Sequence, residues 1–170
     1  MRYNFQDKKI LVVNDSDYSR KMLIGILKVM MVGEVDEAYE ATQAYRMAND
    51  KKYDTILADI SNGASDAIPL AKSINTRADS KHPGTPVVAI CGPRALAFMD
   101  RAREAGVVDL IQAPYSTDVI AQKLNFIIDL NADQLENHAK PEQGMVLNDY
   151  SENDTKISDK NWKNKHWNFL

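Results

Sequence analysis

Lys9-Ile10-Leu11-Val12-Val13-Asn14-Asp15-Ser16 decides the fold of this 170-residue chain. The apolar run shows no polar alternation, which predicts a strand buried on both faces, as in parallel sheets. It stops abruptly at an amide and an acid. Ser16 or Asp17 then caps a helix in which Leu23, Ile26, Leu27 and Met30 recur at helical spacing.

The same unit repeats outward along the chain. A weaker strand, Glu34-Val35-Asp36-Glu37-Ala38, leads into a helix with Ala41, Ala44, Tyr45 and Ala48 on one face. Tyr53-Asp54-Thr55-Ile56-Leu57-Ala58-Asp59 again runs from apolar into acid, and a helix over 66–77 follows with Pro69 in its first turn. Pro86-Val87-Val88-Ala89-Ile90-Cys91 is the fourth strand, closed by Gly92-Pro93. A helix from Arg94 to Ala105 is expected to stop at Gly106, a C′ glycine. Val107 to Gln112 makes the fifth strand, and Ser116 caps a last helix that buries Ile120, Leu124, Ile127 and Ile128. Strands alternating with helices in this way predict an α/β fold, a doubly wound five-stranded parallel sheet with helices on both faces.

Ligands of such sheets gather at the C-terminal ends of the strands. Asn14-Asp15, Asp59, Cys91 and Ala113-Pro114 stand at those ends. Clustered carboxylate and amide oxygens suit Mg²⁺, a hard cation that keeps several waters. Taken singly, Asp15 is an ordinary helix-capping acid and Asp59 an ordinary end to a strand. Their joint placement on one sheet edge favours a site.

Composition narrows the function classes. The chain is 44% hydrophobic and 26% charged, ordinary values for a packed soluble domain. A net charge of -3 argues against binding nucleic acid by bulk positive charge. Apolar runs are far too short for a membrane span, and the N-terminus shows no leader-type stretch. The single cysteine, Cys91, leaves no intramolecular disulfide. A cytoplasmic protein is expected.

Residues 1–130 read as one domain and 131–170 as an extension with 7 acidic and 5 basic residues and seven asparagines. Both tryptophans, Trp162 and Trp167, fall there beside Phe169 and Leu170, interleaved with Lys160, Lys163 and Lys165. Aromatic area of that density predicts a docking element, with the domain's own helix-four to helix-five face, a partner protein or, third, a weak membrane-surface contact as receptor.

Four stretches carry a resemblance: Ile10–Ser16, Tyr53–Asp59, Thr85–Gly92 and Ala105–Tyr115. In order and spacing, residues 8–130 resemble the receiver domain of two-component response regulators, the family of the chemotaxis regulators. The resemblance implies strand order 2-1-3-4-5. It implies that Asp59 accepts a phosphoryl group from a histidine kinase or phosphotransfer protein. It also implies Mg²⁺ held by Asp15, Asn14, Asp59 and the Ser61 carbonyl, weakened because Asn14 replaces an acid, and a cis-proline at Pro114.

Several switch positions depart from the family. Cys91 stands where a Ser or Thr hydroxyl bonds the phosphoryl group, and a thiol is a weaker donor. Ala113 replaces the lysine that pairs with it, and Leu110 replaces the switching aromatic. Arg94 reads as a solvated first-turn residue, with a substitute cation as the sharper alternative. The expected function is a stand-alone, atypical, non-enzymatic response regulator. It would act in a phosphorelay through protein contacts, without a DNA-binding module; the alternative is a phosphorylation-independent module locked in one state. A flavodoxin-like flavin carrier is disfavoured, because Asn14-Asp15-Ser16-Asp17 would repel a phosphate. A catalytic role for Cys91 lacks a neighbouring histidine.

Overall fold

A computed structural model describes residues 3–60, 66–130 and 134. Five strands, β1 (Lys9–Val13), β2 (Glu34–Ala38), β3 (Thr55–Asp59), β4 (Val87–Cys91) and β5 (Val107–Gln112), form one sheet in the order β2-β1-β3-β4-β5. All neighbouring pairs are parallel. Between them run α1 (Asp17–Val29), α2 (Ala41–Asp50), α3 (Ala67–Thr76), α4 (Met99–Glu104) and α5 (Thr117–Ile128).

Each face of the sheet carries its own core. On one side Ala44, Tyr45 and Ala48 of α2, Leu70, Ala71 and Ile74 of α3, and Met99 and Ala102 of α4 pack on Leu11, Val13, Ile56, Ala58 and Ala89. On the other, Leu23 and Leu27 of α1 meet Ile120, Leu124 and Ile127 of α5 over Ile10, Val12, Leu57 and Val88. Covering on both faces explains why the strands lack polar alternation. Ile26, Met30 and Ile128, expected in the core, are only half-buried at its margin.

Local signals set the helix ends. The Ser16 side chain accepts from Ser19 N at 3.3 Å, Ser116 from Val119 N at 3.2 Å, and Asp66 from Ile68 N at 2.9 Å. Pro69 lies in the first turn of α3, where a missing N–H costs nothing. Gly106 adopts φ +90, a left-handed conformation that favours glycine.

The helix expected over 94–105 is not continuous. A 3-10 turn spans Ala95–Phe98 before α4 begins. Arg94 offers no capping side chain, and its carbonyl accepts from Ala97 N three residues on, the bond that defines the tighter winding. β5 also departs from simple pairing. Val87 pairs with Val107 but Val88 with Asp109, leaving Val108 as an extra residue. Beyond this bulge Leu110 faces the α2–α4 core, whereas Ile111 faces the α1–α5 core.

Candidate functional site

The sheet order reverses between β1 and β3, which pair from Ile10↔Thr55 to Val13↔Ala58. Asn14 and Asp59 therefore stand side by side, each one position beyond the Val13↔Ala58 pair. Helices diverge to opposite faces here, and the crevice they leave is the usual ligand position of such sheets.

Asn14 is buried, and its N–H and both of its oxygens are engaged. Its N–H donates to Ala38 O at 3.1 Å, and its Oδ1 accepts from Ser16 N at 2.8 Å, an Asx turn. Its carbonyl accepts from Arg20 Nη1 at 2.8 Å. Arg20 also donates to Glu37 and Asp17, each at 2.8 Å, so one guanidinium ties β1, β2 and α1 into a fixed corner. Arg20 escaped the sequence reading, although its spacing from Asp17 was a local signal. Asp15 is exposed at the mouth of the crevice, and Ser16 rather than Asp15 caps α1.

Asp59 ends β3 half-buried, and Ile60 N continues the pairing to Ile90 O at 2.8 Å. Ser61 lies outside the described residues. The Cys91 thiol is 1% exposed and donates to Ile111 O at 3.5 Å, toward β5. Burial pushes its pKa up to about 12; nearby Lys123 opposes this, while the charges of Asp59 and Asp109 add to it. Asp59 pairs in register with Ile90, the residue before Cys91, so the ends of β3 and β4 adjoin. Ala113 N donates to Cys91 O at 2.7 Å, which brings position 113 beside position 91. The Ala113–Pro114 peptide bond is cis. Leu110 is fully buried, and Arg94 is exposed.

A second feature was not read from the sequence. Asp109 is buried in β5, and its Oδ1 accepts from Lys123 Nζ of α5 at 2.8 Å and from Leu110 N at 2.7 Å. The bulge at Val108 makes this contact, because it turns Asp109 toward α5. No sequence periodicity signals a bulge.

A dication that keeps most of its waters needs few protein oxygens, and the carboxylates on offer near this edge would be Asp59, half-buried at the strand end, and Asp15, exposed past β1. Among the described residues no group of three or more His, Cys, Asp or Glu side chains could hold a metal, so water and carbonyl oxygens would complete the shell. The Asn14 amide oxygen already serves the Asx turn. Among the described residues no helix is long and apolar enough to cross a membrane.

The model of the response regulator receiver domain matches residues 10–125. Chemotaxis protein CheY1 of Helicobacter pylori is 27% identical over 125 residues, covering 72% of this chain and 98% of that protein. Chemotaxis protein CheY-3 of Vibrio cholerae is 25% identical over 124 residues, covering 73% of this chain and 94% of that protein. Among solved structures, the receiver domain of NtrX from Brucella abortus superposes with TM-score 0.63 at 26% identity, covering 72% of this chain and all (100%) of that one. Receiver domains are in general non-enzymatic signalling modules that typically bind Mg²⁺ at the phosphorylation site and work with histidine kinases or phosphotransfer proteins. A sheet ordered 2-1-3-4-5 and a family match over most of the domain agree: the chain belongs to the receiver-domain family of response regulators and of two-component signalling.

Proposed function

We propose that Asp59 accepts a phosphoryl group and that the switch which normally reads the phosphate is blunted. The observation that carries this reading is a half-buried carboxylate, Asp59, at the end of β3 in register with Ile90, at the same sheet edge as Cys91 and its hydrogen-bonded neighbour Ala113. An Asp59 oxygen attacks phosphorus, the new O–P bond forms, and the bond from phosphorus to a donor histidine nitrogen breaks, its electron pair staying on nitrogen. Mg²⁺, when bound, neutralises charge on the phosphoryl oxygens. Asp15 and Asp59 would hold it with the Ser61 carbonyl. Arg20 keeps the Asn14 corner in place while this happens.

Readout is a separate act. A thiol turned to Ile111 O is a poor donor, and Ala113 offers no side-chain donor at all. Leu110, already packed in the core, has no polar group with which to couple the site to the surface. Output would then rest on protein contacts with a kinase or phosphotransfer partner. Those same features favour the second reading, a phosphorylation-independent module. Intact mass after incubation with a small phosphodonor and Mg²⁺ decides between them: one phosphoryl addition is expected, and its absence leaves the second reading.

A further inference from the structure

The outer face of α1 is apolar. Tyr18, Met22 and Val29 are 78%, 44% and 77% exposed. Together with Gly25 they fall within about 60° of arc and extend over about 16 Å of helix, whereas Leu23 and Leu27 on the opposite side enter the core. The space where a Gly25 Cβ would sit is open for 4 Å, which leaves a notch between Met22 and Val29. Three large apolar side chains in one row, all turned away from the core, form a stripe rather than scattered exposure.

At its N-terminal end the stripe meets two acids, Asp15 and Asp17. Arg20 and Lys21 pair with Asp17, and Arg20 also with Glu37, whereas Glu34 and Asp36 pair with Lys51. Asp15 lies beyond the N-terminal end of the helix, exposed, and Lys28 lies near its other end.

One segment of the same chain has the complementary chemistry. Residues 160–170 contain Lys160, Lys163 and Lys165, no acid, and the apolar side chains of Trp162, Trp167, Phe169 and Leu170. We propose that this segment docks on the α1 stripe, with indole rings on Met22, Gly25 and Val29 and its lysines toward Asp15 and Asp17. The attachment point suits this. Leu130, just past α5, packs against the core that α1 and α5 share. A flexible tether as long as the 29 residues from 131 to 159 would reach about 30 Å, enough for the outside of the adjacent helix. A tether of that reach gives an effective concentration on the order of millimolar, so a weak intrinsic affinity suffices.

Trp162 and Trp167 are the only tryptophans, so their emission reports the segment alone. In the full chain, emission is expected to be blue-shifted and less accessible to acrylamide than in a free peptide of residues 160–170. Met22→Lys with Val29→Lys should move both properties to the peptide values, with far-UV circular dichroism unchanged because both positions are exposed. Glu104→Lys, on the other layer, should leave them alone. As an independent measure, Trp162→Ala with Trp167→Ala should speed amide exchange in α1. Wild-type emission equal to that of the peptide, or insensitivity to the stripe substitutions, overturns the proposal. A blue shift lost on dilution assigns the stripe to a second copy and overturns it equally.

Discussion

Lys123 Nζ lies 2.8 Å from Asp109 Oδ1, with the two side chains 17% and 3% exposed. The pair joins α5 to β5 at the strand whose other face holds Leu110. It puts a cation where Cys91 feels it, although position 113 itself carries none. β5 is thereby pinned to α5 by a buried ionic contact.

Removing only one partner should be costly. Lys123→Met would leave the Asp109 carboxylate buried without its cation, and breaking such a pair costs about 3 kcal/mol or slightly more. Asp109→Leu together with Lys123→Met should recover most of that loss, since an apolar pair avoids burying charge. Urea unfolding of the two singles and the double tests this. A single Lys123→Met variant as stable as wild type would show that Asp109 is satisfied without Lys123.

Asp59→Asn should abolish phosphoryl addition by intact mass, because the amide nitrogen that replaces the reactive oxygen is no nucleophile. Asp15→Ala should slow the reaction without abolishing it, by removing one carboxylate from the metal shell. Chelating Mg²⁺ should slow wild type to about the rate of the Asp15 variant or below. Equal rates with and without Mg²⁺ would remove Asp15 from the metal shell.

Fold was legible because each strand reads as a continuous apolar run and each helix as a 3.6-residue period, both consequences of a sheet covered on two faces. The runs ending at Val13, Asp59 and Cys91 placed the candidate edge directly. Three things were not legible. The 3-10 turn at Ala95–Phe98 depends on a cap that Arg94 fails to provide, a distinction too local for periodicity. The bulge at Val108 redirects Asp109 to a lysine fourteen residues on, a tertiary contact with no repeat to betray it. Arg20 looked like one charge among several on α1, yet it spans Asn14, Asp17 and Glu37.

Acid should weaken the fold partly through Asp79. Arg77 donates to both of its oxygens and Tyr45 Oη donates at 2.8 Å, which holds the carboxyl at about 2 against an ordinary 3.8. A carboxylate depressed by folding contributes stability that is present above its unfolded pKa and is lost as pH falls through the folded one. The contribution should therefore be full above 3.8 and fade toward about 2. Asp79→Asn should flatten that part of the acid limb in urea midpoints measured across the window. The site is exposed, so the effect is small and shrinks with added salt. Parallel acid limbs for the two proteins would remove Asp79 from the account.

Phosphorylation of wild type should shift the conformational equilibrium only slightly. A ligand moves a two-state equilibrium solely by its differential contacts with the two states. Cys91 donates to Ile111 O and Ala113 has no donor, so few contacts distinguish a phosphorylated form. Cys91→Thr with Ala113→Lys returns a hydroxyl and a cation to adjacent positions, joined through the Ala113 N to Cys91 O bond of 2.7 Å. A charge-assisted bond of roughly 1.5–3 kcal/mol, formed only in the modified state, would shift the population by about tenfold to a hundredfold. Amide exchange across residues 91–115, with and without a phosphoryl mimic such as beryllofluoride, reads the shift. The double variant should respond strongly and wild type weakly. Wild-type exchange that changes as much as that of the double variant would mean that another group already reads the phosphate.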